Sequence, residues 1–457
     1  MNNTFKKTVS RLYTGLFLIS PLCFVLGMIQ TNFQKLLPYQ EFFHGKRFFD
    51  FYTISDLLLI VIFALFLFGF FTGALELQKR PLKFWLGAGI FLIFVAGAMQ
   101  ILFQKTYDPI LSSPVEYFRS MFIFPIFYAL LVYKTLSDKA LKWLMYAYIS
   151  TISLFCIFAL TQYFWGVFSG VQYDFTQRLV WPYIDFLTLK WQSANWVTFL
   201  IAPAFVISFI KLFNLTRDSI RASKPGLSFG IKSFVIHLSF GFWILLFPVV
   251  LIGLVLYFAQ SYGSYMGIAL ALTLFLFRSL KLKHFLIAFL VLAIAGSGVF
   301  LLQRNSAKYK IWTGEKYRYA TSVQDRKDIY RMNLYMLENN PILGVGLNQY
   351  QSYFALNKDV LGHEYNELNI PPHAHNFFLS MWLALGLVGL IGILLIILNA
   401  FFHAKFSVLN PAIFALVAIM IHGIVDSYYW KPEIAYTVWL IIVFSCIYQQ
   451  KWTKSQY

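Results

Sequence analysis

The densest group of polar side chains in this 457-residue sequence lies at residues 371–376, where Pro-Pro-His-Ala-His-Asn comes directly before a long apolar run. The two prolines restrict the backbone that leads into the run, and His375 and Asn376 fall at its predicted helix start. An imidazole can take a proton from an alcohol near neutral pH, and a helix N-terminus favours a neutral imidazole and nearby anions. The sequence therefore predicts either a general base at His375 or a capping pair at the surface. The neighbouring His373 is predicted to orient this segment.

Two arginines earlier in the chain are candidates for binding an anion. Arg119 lies in a predicted apolar span, three residues after Glu116. A charge at that depth is costly and usually functional, although a local pair with Glu116 would also account for it. Arg178 precedes Trp181 and Tyr183 in a polar segment, so it is a candidate for contact with phosphate or sugar.

His422 and Asp426 form a second candidate pair in a later apolar run. They are four residues apart, so a continuous helix would place them on one face. The pair is predicted either to support a nearby site or to form a structural Asp–His hydrogen bond.

The three cysteines show no spacing that is typical of a disulfide or metal site. Cys23, Cys156 and Cys446 all fall inside apolar runs, with no CxxC spacing and no nearby histidine. Cysteines in such runs are typically buried apolar side chains. We therefore predict neither a disulfide nor a metal site.

The elements that must position these residues follow from the composition. Hydrophobic residues make up 59% of the sequence and charged residues 12%, against about 45–50% and about 25% in soluble domains. This excludes a soluble globular enzyme, a disordered chain and a disulfide-rich secreted scaffold. Apolar runs of about 20 residues predict an all-α polytopic membrane protein with about twelve transmembrane helices. These lie near residues 12–29, 54–75, 84–103, 115–133, 143–165, 194–213, 234–259, 263–277, 285–302, 376–400, 410–428 and 434–450.

Basic residues cluster in alternate loops between these runs. If the N-terminus is cytoplasmic, 20 of the 37 Lys and Arg residues fall on the cytoplasmic side, with only three of the 19 acidic residues. The positive-inside rule therefore predicts that both termini are cytoplasmic. Topology and anionic membrane lipids account for the net charge of +18, so no nucleic-acid binding is predicted.

A long polar segment at residues 303–375 divides the chain and is predicted to be a partly helical periplasmic loop. It separates residues 1–302, with nine predicted transmembrane helices, from residues 376–457, with three. A loop of this length between spans is usually functional or a small domain.

One helix is predicted inside that segment. Asp325 is its predicted N-cap, and apolar residues repeat at helical spacing from Tyr330 to Leu337. An Asn-Asn-Pro sequence at 339–341 is predicted to end it. A Gly-Val-Gly turn follows at 344–346, which by itself is weak evidence for phosphate binding.

The stretch from Arg326 to Gly389 resembles the signature region of the bacterial O-antigen ligase and Wzy-type polymerase family. His375-Asn376, nine residues, Gly386, two residues and Gly389 are similar to the ligase pattern of a histidine, a small amide or hydroxyl residue, nine residues and Gly-x-x-Gly. The upstream arginine, the predicted helix and the Pro-Ile-Leu-Gly-Val-Gly sequence are also similar to the family. So is the arrangement of many spans with one large late loop.

The resemblance implies a membrane glycosyltransferase of the bacterial inner membrane. It would move a glycan from undecaprenyl diphosphate to a hydroxyl on the periplasmic side. The resemblance implies His375 as the base and Arg326 as a ligand of the diphosphate. Arg331 is either a weaker candidate for that role or a solvated loop charge, and Arg119 and Arg178 are candidates from their positions in the sequence. The resemblance implies no metal ion, no cofactor and no nucleotide sugar.

The sequence leaves several acceptors possible, and it also leaves a transporter as an alternative from another class of function. An O-antigen ligase would use lipid A–core, which we favour, whereas a repeat-unit polymerase of O-antigen or exopolysaccharide would use a second lipid-linked glycan. A protein O-glycosyltransferase of similar fold is a further alternative. A transporter of lipid-linked glycans would carry polar residues near the midplane of several helices, whereas this sequence concentrates them on one face.

The sequence departs from the family pattern at one position. Many members carry Ser-Arg-Gly at the outer start of a middle helix, and this chain has Ser261-Tyr262-Gly263. Tyr262 lacks the positive charge. Either another cation, such as Arg178 or Arg119, replaces it, or the donor is handled differently.

Overall fold

The computed structural model describes residues 3–33, 53–105, 107, 114–169, 178–179, 194–222, 240–313, 322–362, 370–404, 407–429 and 431–447. These residues are mostly α-helical, and no β-strand occurs among them. Nine of the described helices are long and apolar enough to cross a membrane. The prediction of an all-α polytopic membrane protein is therefore confirmed.

The helices of the described residues are numbered here in chain order. They are α1 (Asn3–Phe33), α2 (Ile54–Phe71), α3 (Phe84–Phe103), α4 (Pro114–Thr135), α5 (Asp138–Ser169), α6 (Ala194–Ala222), α7 (Phe240–Ala259), α8 (Tyr262–Ser279), α9 (Leu282–Leu302), α10 (Ala307–Trp312), α11 (Ser322–Asn339), α12 (Tyr350–Leu356), α13 (Phe377–Ala404), α14 (Pro411–Val425) and α15 (Pro432–Ile447). A π-helical turn at Arg119–Ile123 interrupts α4, and a 3-10 turn at Lys358–Leu361 follows α12.

The helices coincide with the twelve predicted positions, although only some qualify as spans by length and composition. Those that do are α1 to α7, α9 and α13. Helices α8, α14 and α15 occupy the other three positions, and α14 and α15 have only 15 and 16 residues. The total of twelve spans stays a prediction, as do the boundaries of the periplasmic segment.

The centre and the edge of the bundle follow from the burial of its helices. Every residue of α15 from Glu433 to Ser445 is buried, as expected for a helix that is apolar around its whole circumference. In contrast, no residue of α9 is buried, although its sequence is equally apolar. Helix α15 therefore lies in the centre and α9 at the edge.

Helix α13 is broken at Gly386, where φ is 70° and ψ is −176°. In an unbroken helix the Leu387 N–H would donate to the Leu383 carbonyl. Here the Leu387 N–H donates to the Ile342 carbonyl at 2.8 Å, and the Leu383 carbonyl accepts two N–H groups from residues 345 and 346, at 2.8 and 3.0 Å. The turn after α11 thus supplies the hydrogen bonds that α13 loses, and it fixes the long segment to the bundle.

Two glycines make this docking possible. Gly344 and Gly386 both have φ of +70°, which residues with a Cβ adopt only under strain. A Cβ on Gly386 would collide with the Ile342 carbonyl, and one on Gly344 would collide with the Leu383 carbonyl. The Gly-Val-Gly turn therefore serves close backbone packing.

Helix α3 holds the same turn from its other side. The Gln100 amide donates to the Leu343 carbonyl. The Gln104 side chain accepts the Leu347 N–H at 2.7 Å and donates to the Leu347 carbonyl at 3.4 Å. Hydrogen bonds to α13 on one side and to Gln100 and Gln104 on the other therefore hold the turn in place.

The predicted helix within the long segment is present as α11, with one boundary corrected. It ends at Asn339, before the Asn340-Pro341 sequence, as predicted. However, it begins at Ser322, so Asp325 lies inside the helix and is not its N-cap. Residues 322–324 contain neither Gly nor Pro, and the helix therefore continues for almost one further turn.

Replacing Gly386 with Ala should destabilise the protein by about 1–3 kcal/mol, because the residue would be strained at positive φ and its Cβ would meet the turn. The measurement is thermal unfolding of the purified protein in detergent. Gly296→Ala in α9 is the matched control, since a Cβ there meets nothing within 4 Å. An equal melting temperature for the two variants would contradict the docking role.

Candidate active site

His375 and Asn376 connect the long segment to α13. The Asn376 side-chain oxygen accepts the Leu379 N–H at 3.0 Å, and its amide donates to the Ile424 carbonyl at 2.8 Å. Asn376 is therefore the N-cap of α13. His375 has φ of 48°, a conformation that is uncommon outside glycine and is often found at functional sites. The capping interpretation thus applies to Asn376, and the His375 side chain points to another partner.

That partner is Asp426, which follows the last residue of α14. His375 Nδ1 lies 3.0 Å from Asp426 Oδ1, with the His375 side chain 26% exposed and the Asp426 side chain 4% exposed. Since a carboxylate only accepts hydrogen bonds, Nδ1 is the donor, and in a neutral imidazole this leaves the lone pair on Nε2. Asp426 therefore fixes the orientation of the imidazole through Nδ1, and Nε2 is the nitrogen that could act as a base.

Asp426 is itself held by two further donors. The Asn195 amide at the start of α6 donates to its Oδ2 at 2.6 Å, and the Ser427 N–H donates to its Oδ1 at 2.8 Å. Burial alone would raise the pKa of this carboxyl, but the attraction and hydrogen bond of His375 and the charge of Arg326 hold the pKa well below its usual range. Asp426 is therefore a carboxylate at neutral pH.

His422 and Asp426 do not lie on one face of a continuous helix, although the Asp426 N–H still donates to the His422 carbonyl at 3.1 Å. Helix α14 ends at Val425, and Asp426 has an extended backbone with φ of −156° and ψ of 163°. The His422 ring lies 4.7 Å from the Phe199 ring, between ring centroids. The carboxylate is thus turned away from α14 and toward His375.

His373 lies behind His375 in the same loop. It is buried, its Nδ1 accepts the His375 N–H at 3.3 Å, and the two ring centroids are 4.5 Å apart. Burial and the neighbouring His375 lower its pKa to about 3. His373 is therefore neutral at physiological pH, and it holds the backbone of His375 in place.

Arg326 is the predicted arginine that the structure brings to this site. It lies half-buried on α11 and interacts electrostatically with Asp426 and His422. Arg331 is exposed five residues further along the helix, where its guanidinium donates to the Leu361 carbonyl at 2.9 Å. Arg331 thus stabilises the 3-10 turn that follows α12.

The two earlier arginines lie in other surroundings. The Arg119 guanidinium is 5.7 Å from the Phe124 ring centroid and interacts electrostatically with the buried Asp56. Arg178 interacts electrostatically with Tyr262. The next residue along, 179, donates its N–H to the last turn of α7 at 3.0 Å. A cation therefore stands close to the tyrosine that replaces the family's arginine.

Several contacts of the site were missed by the sequence analysis. Asn195 bonds to Asp426 across 231 residues, and the Tyr330 hydroxyl donates to the Ile424 carbonyl at 3.0 Å. The Asp426–His375 pair itself spans 51 residues. No local spacing could reveal these partners, because each joins segments that meet only in the folded bundle.

His373, His375 and Asp426 also form the one described group that could hold a metal ion, with ligand atoms within 4.8 Å of one another. Two imidazoles and a carboxylate can bind Zn²⁺. For this, His375 Nδ1 would have to lose the proton that it donates to Asp426. The expectation of metal-free chemistry stays a prediction.

Activity is therefore expected to survive EDTA, because the Asp–His pair needs no metal to present a base. The measurement is the rate of product formation by the purified protein before and after chelation. Loss of activity that returns on addition of Zn²⁺ would instead assign the three side chains to a metal site.

Replacing Asp426 with Asn should lower kcat at least about 100-fold with little change in KM, because an amide cannot stabilise a protonated imidazole as a carboxylate does. Steady-state kinetics in detergent or proteoliposomes would measure both constants. Asp359→Asn, at an exposed position of the 3-10 turn, controls for the loss of a carboxylate. A kcat equal to that of the control would remove Asp426 from the base.

Comparison with known protein families gives a match to part of the chain. Residues 247–394 match the family described as O-antigen ligase. The matched region includes α8, α9, the long segment, His375 and the break in α13. A search of the curated proteins finds no match to the chain. This match supports the O-antigen ligase and Wzy-type family and, in general terms, ligase or polymerase-type activity, for a protein whose described helices are those of an integral membrane protein.

Proposed function

We propose that this protein is an O-antigen ligase that moves a glycan from undecaprenyl diphosphate to a hydroxyl of lipid A–core. The single observation that carries the proposal is the His375–Asp426 pair, in which a buried carboxylate orients a partly exposed imidazole. This is the arrangement that a poor nucleophile such as a sugar hydroxyl requires.

The proton in this reaction moves from the acceptor to His375. As the acceptor oxygen attacks the anomeric carbon, its proton passes to His375 Nε2 and the bond between that carbon and the diphosphate oxygen breaks. Attack from the side opposite the leaving group inverts the anomeric configuration. Asp426 stabilises the imidazolium that forms and keeps its ring in place.

The leaving undecaprenyl diphosphate takes the electron pair of the broken bond and needs cationic partners. Arg326, beside the Asp–His pair, suits this role because a guanidinium binds phosphate oxygens through two parallel hydrogen bonds. Arg178 beside Tyr262 supplies the second positive charge in place of the family's arginine. Arg119 and Arg331 stabilise other parts of the protein.

The reaction belongs on the periplasmic side of a bacterial inner membrane. The long segment, the start of α13, the end of α14 and the start of α6 all meet at one end of the bundle through His375, Asp426 and Asn195. The distribution of basic residues predicts that this end faces away from the cytoplasm. Lipid-linked substrates and membrane lipids would reach it from the outer leaflet.

Reconstitution tests this function. The purified protein is placed in proteoliposomes with an undecaprenyl-diphosphate-linked glycan, and lipid A–core or a second lipid-linked glycan is offered separately. One transfer to lipid A–core is expected, and none by His375→Ala. Long chains on the polyprenyl lipid would identify a polymerase instead. Transfer by His375→Ala at the wild-type rate would refute the assigned base.

Replacing Arg326 with Lys should impair use of the donor about tenfold, because an ammonium is a point charge that cannot bind two phosphate oxygens in parallel. The measurement is kcat/KM for the undecaprenyl-diphosphate donor at saturating acceptor. Arg304→Lys, at an exposed position of the same long segment, is the matched control. Equal donor kinetics in the two variants would exclude Arg326 from the diphosphate site.

A further inference from the structure

A cavity with a volume of about 210 Å³ lies between the docked turn and the membrane helices, next to the Asp–His pair. Its walls come from α4, the turn at 346–348, α12, the loop at 372–374, the first turns of α13 and the loop after α14. The volume is below the about 300–1,000 Å³ typical of sites for drug-sized ligands. The cavity is therefore suited to a single ring and not to a whole oligosaccharide.

The cavity adjoins the Asp–His pair at two places. His373 lines it, and the His373 ring lies 4.5 Å from the His375 ring, between centroids. Ser380 also lines it and shares a hydrogen bond of 2.6 Å with Ser427, the residue after Asp426. A ligand in the cavity would thus lie within one side chain of the proposed base.

The chemistry of the walls is that of a neutral sugar site. Tyr117, Tyr350 and Tyr429 supply aromatic rings, and Asn348 and Gln351 supply amides. A pyranose has an apolar face of C–H groups that packs on an aromatic ring, and hydroxyls at its edge that bond to amides and Ser380. No Lys, Arg, Asp or Glu side chain occurs among the described residues that line the cavity.

Two of these wall positions are fixed by the fold. The Tyr350 hydroxyl donates to the buried Asn333 side chain at 2.7 Å, and the Tyr429 hydroxyl donates to the Met121 carbonyl at 2.6 Å. Asn348 has φ of 59°, a strained conformation that asparagine tolerates and that often marks a binding site. The rings are therefore pre-arranged before any ligand arrives.

We propose that this cavity binds a sugar ring of the acceptor, next to the ring whose hydroxyl is deprotonated by His375. This inference rests on the proposed function and adds the location of the acceptor. The described lining offers no cation to a diphosphate, and its amides and hydroxyls would lack hydrogen-bond partners beside a polyprenyl chain. Arg326, the proposed diphosphate ligand, is not among the lining residues but interacts with Asp426 and His422. The proposed acceptor cavity and the proposed diphosphate ligand are therefore separate parts of the site.

The test uses two variants that change the cavity by different means. Ala384 lines the cavity from α13, so Ala384→Leu fills the space without removing a polar group. Gln351→Ala removes an amide from an exposed position of α12. Ala293→Leu, on the exposed surface of α9, and Leu356→Ala, exposed on α12, are the matched controls.

Binding is measured first, without donor, by calorimetry on the full-length protein in detergent. The two probes are lipid-free core oligosaccharide and lipid-free repeat-unit oligosaccharide, which distinguish the two sources of acceptor. The wild type and both controls should bind one probe, and both cavity variants should weaken it about tenfold. Equal affinity in all five proteins would overturn the proposal.

Kinetics then separate this inference from the proposed function. With both substrates in proteoliposomes, the cavity variants should raise the acceptor KM about tenfold and leave the donor KM unchanged. A raised donor KM with an unchanged acceptor KM would overturn the proposal and assign the cavity to the donor sugar. If no transfer occurs even in the wild type but the cavity variants weaken oligosaccharide binding, the proposed function fails and the cavity remains a saccharide-binding site.

Discussion

The exchange of backbone hydrogen bonds at the break of α13 is the constraint on which the rest of the site depends. The membrane interior leaves no water to satisfy a broken helix, so the Leu383 carbonyl and the Leu387 N–H must find protein partners. The turn after α11 supplies both. The long segment is thereby fixed to the bundle at Gly386, inside α13. This docking also sets the position of the turn that lines the cavity beside the Asp–His pair.

Asp426 provides the corresponding constraint on the electrostatics. A buried carboxylate is stable only when donors surround it, and here the donors come from α6, from the loop before α13 and from the residue after Asp426. The same three contacts that stabilise the charge also orient the imidazole. Removing any of them would leave part of a buried charge uncompensated, so stability of the bundle and activity of the site are coupled at this position.

The sequence predicts the individual residues of the site better than the contacts between them. His375 and Asn376 were marked by their position before an apolar run, and the helix that carries Arg326 by its periodicity and its Asn-Asn-Pro end. The shared helix face predicted for His422 and Asp426 is not present, because spacing assumes that a helix continues, whereas α14 ends at Val425. The Gly-Val-Gly turn had an evident glycine requirement, but whether it approaches phosphate or backbone depends on a contact with α13.

The sequence by itself determined the class of the protein, because the length and apolarity of its runs leave a membrane bundle as their one stable arrangement. It also determined where helices form, since periodicity, caps and prolines act over a few residues. Only the tertiary structure decided that Asp426 supports His375, that Arg178 stands beside Tyr262 and that a neutral cavity adjoins the base. These contacts join residues tens to hundreds of positions apart, and their geometry is set by the packing of whole helices and not by any local preference of the chain.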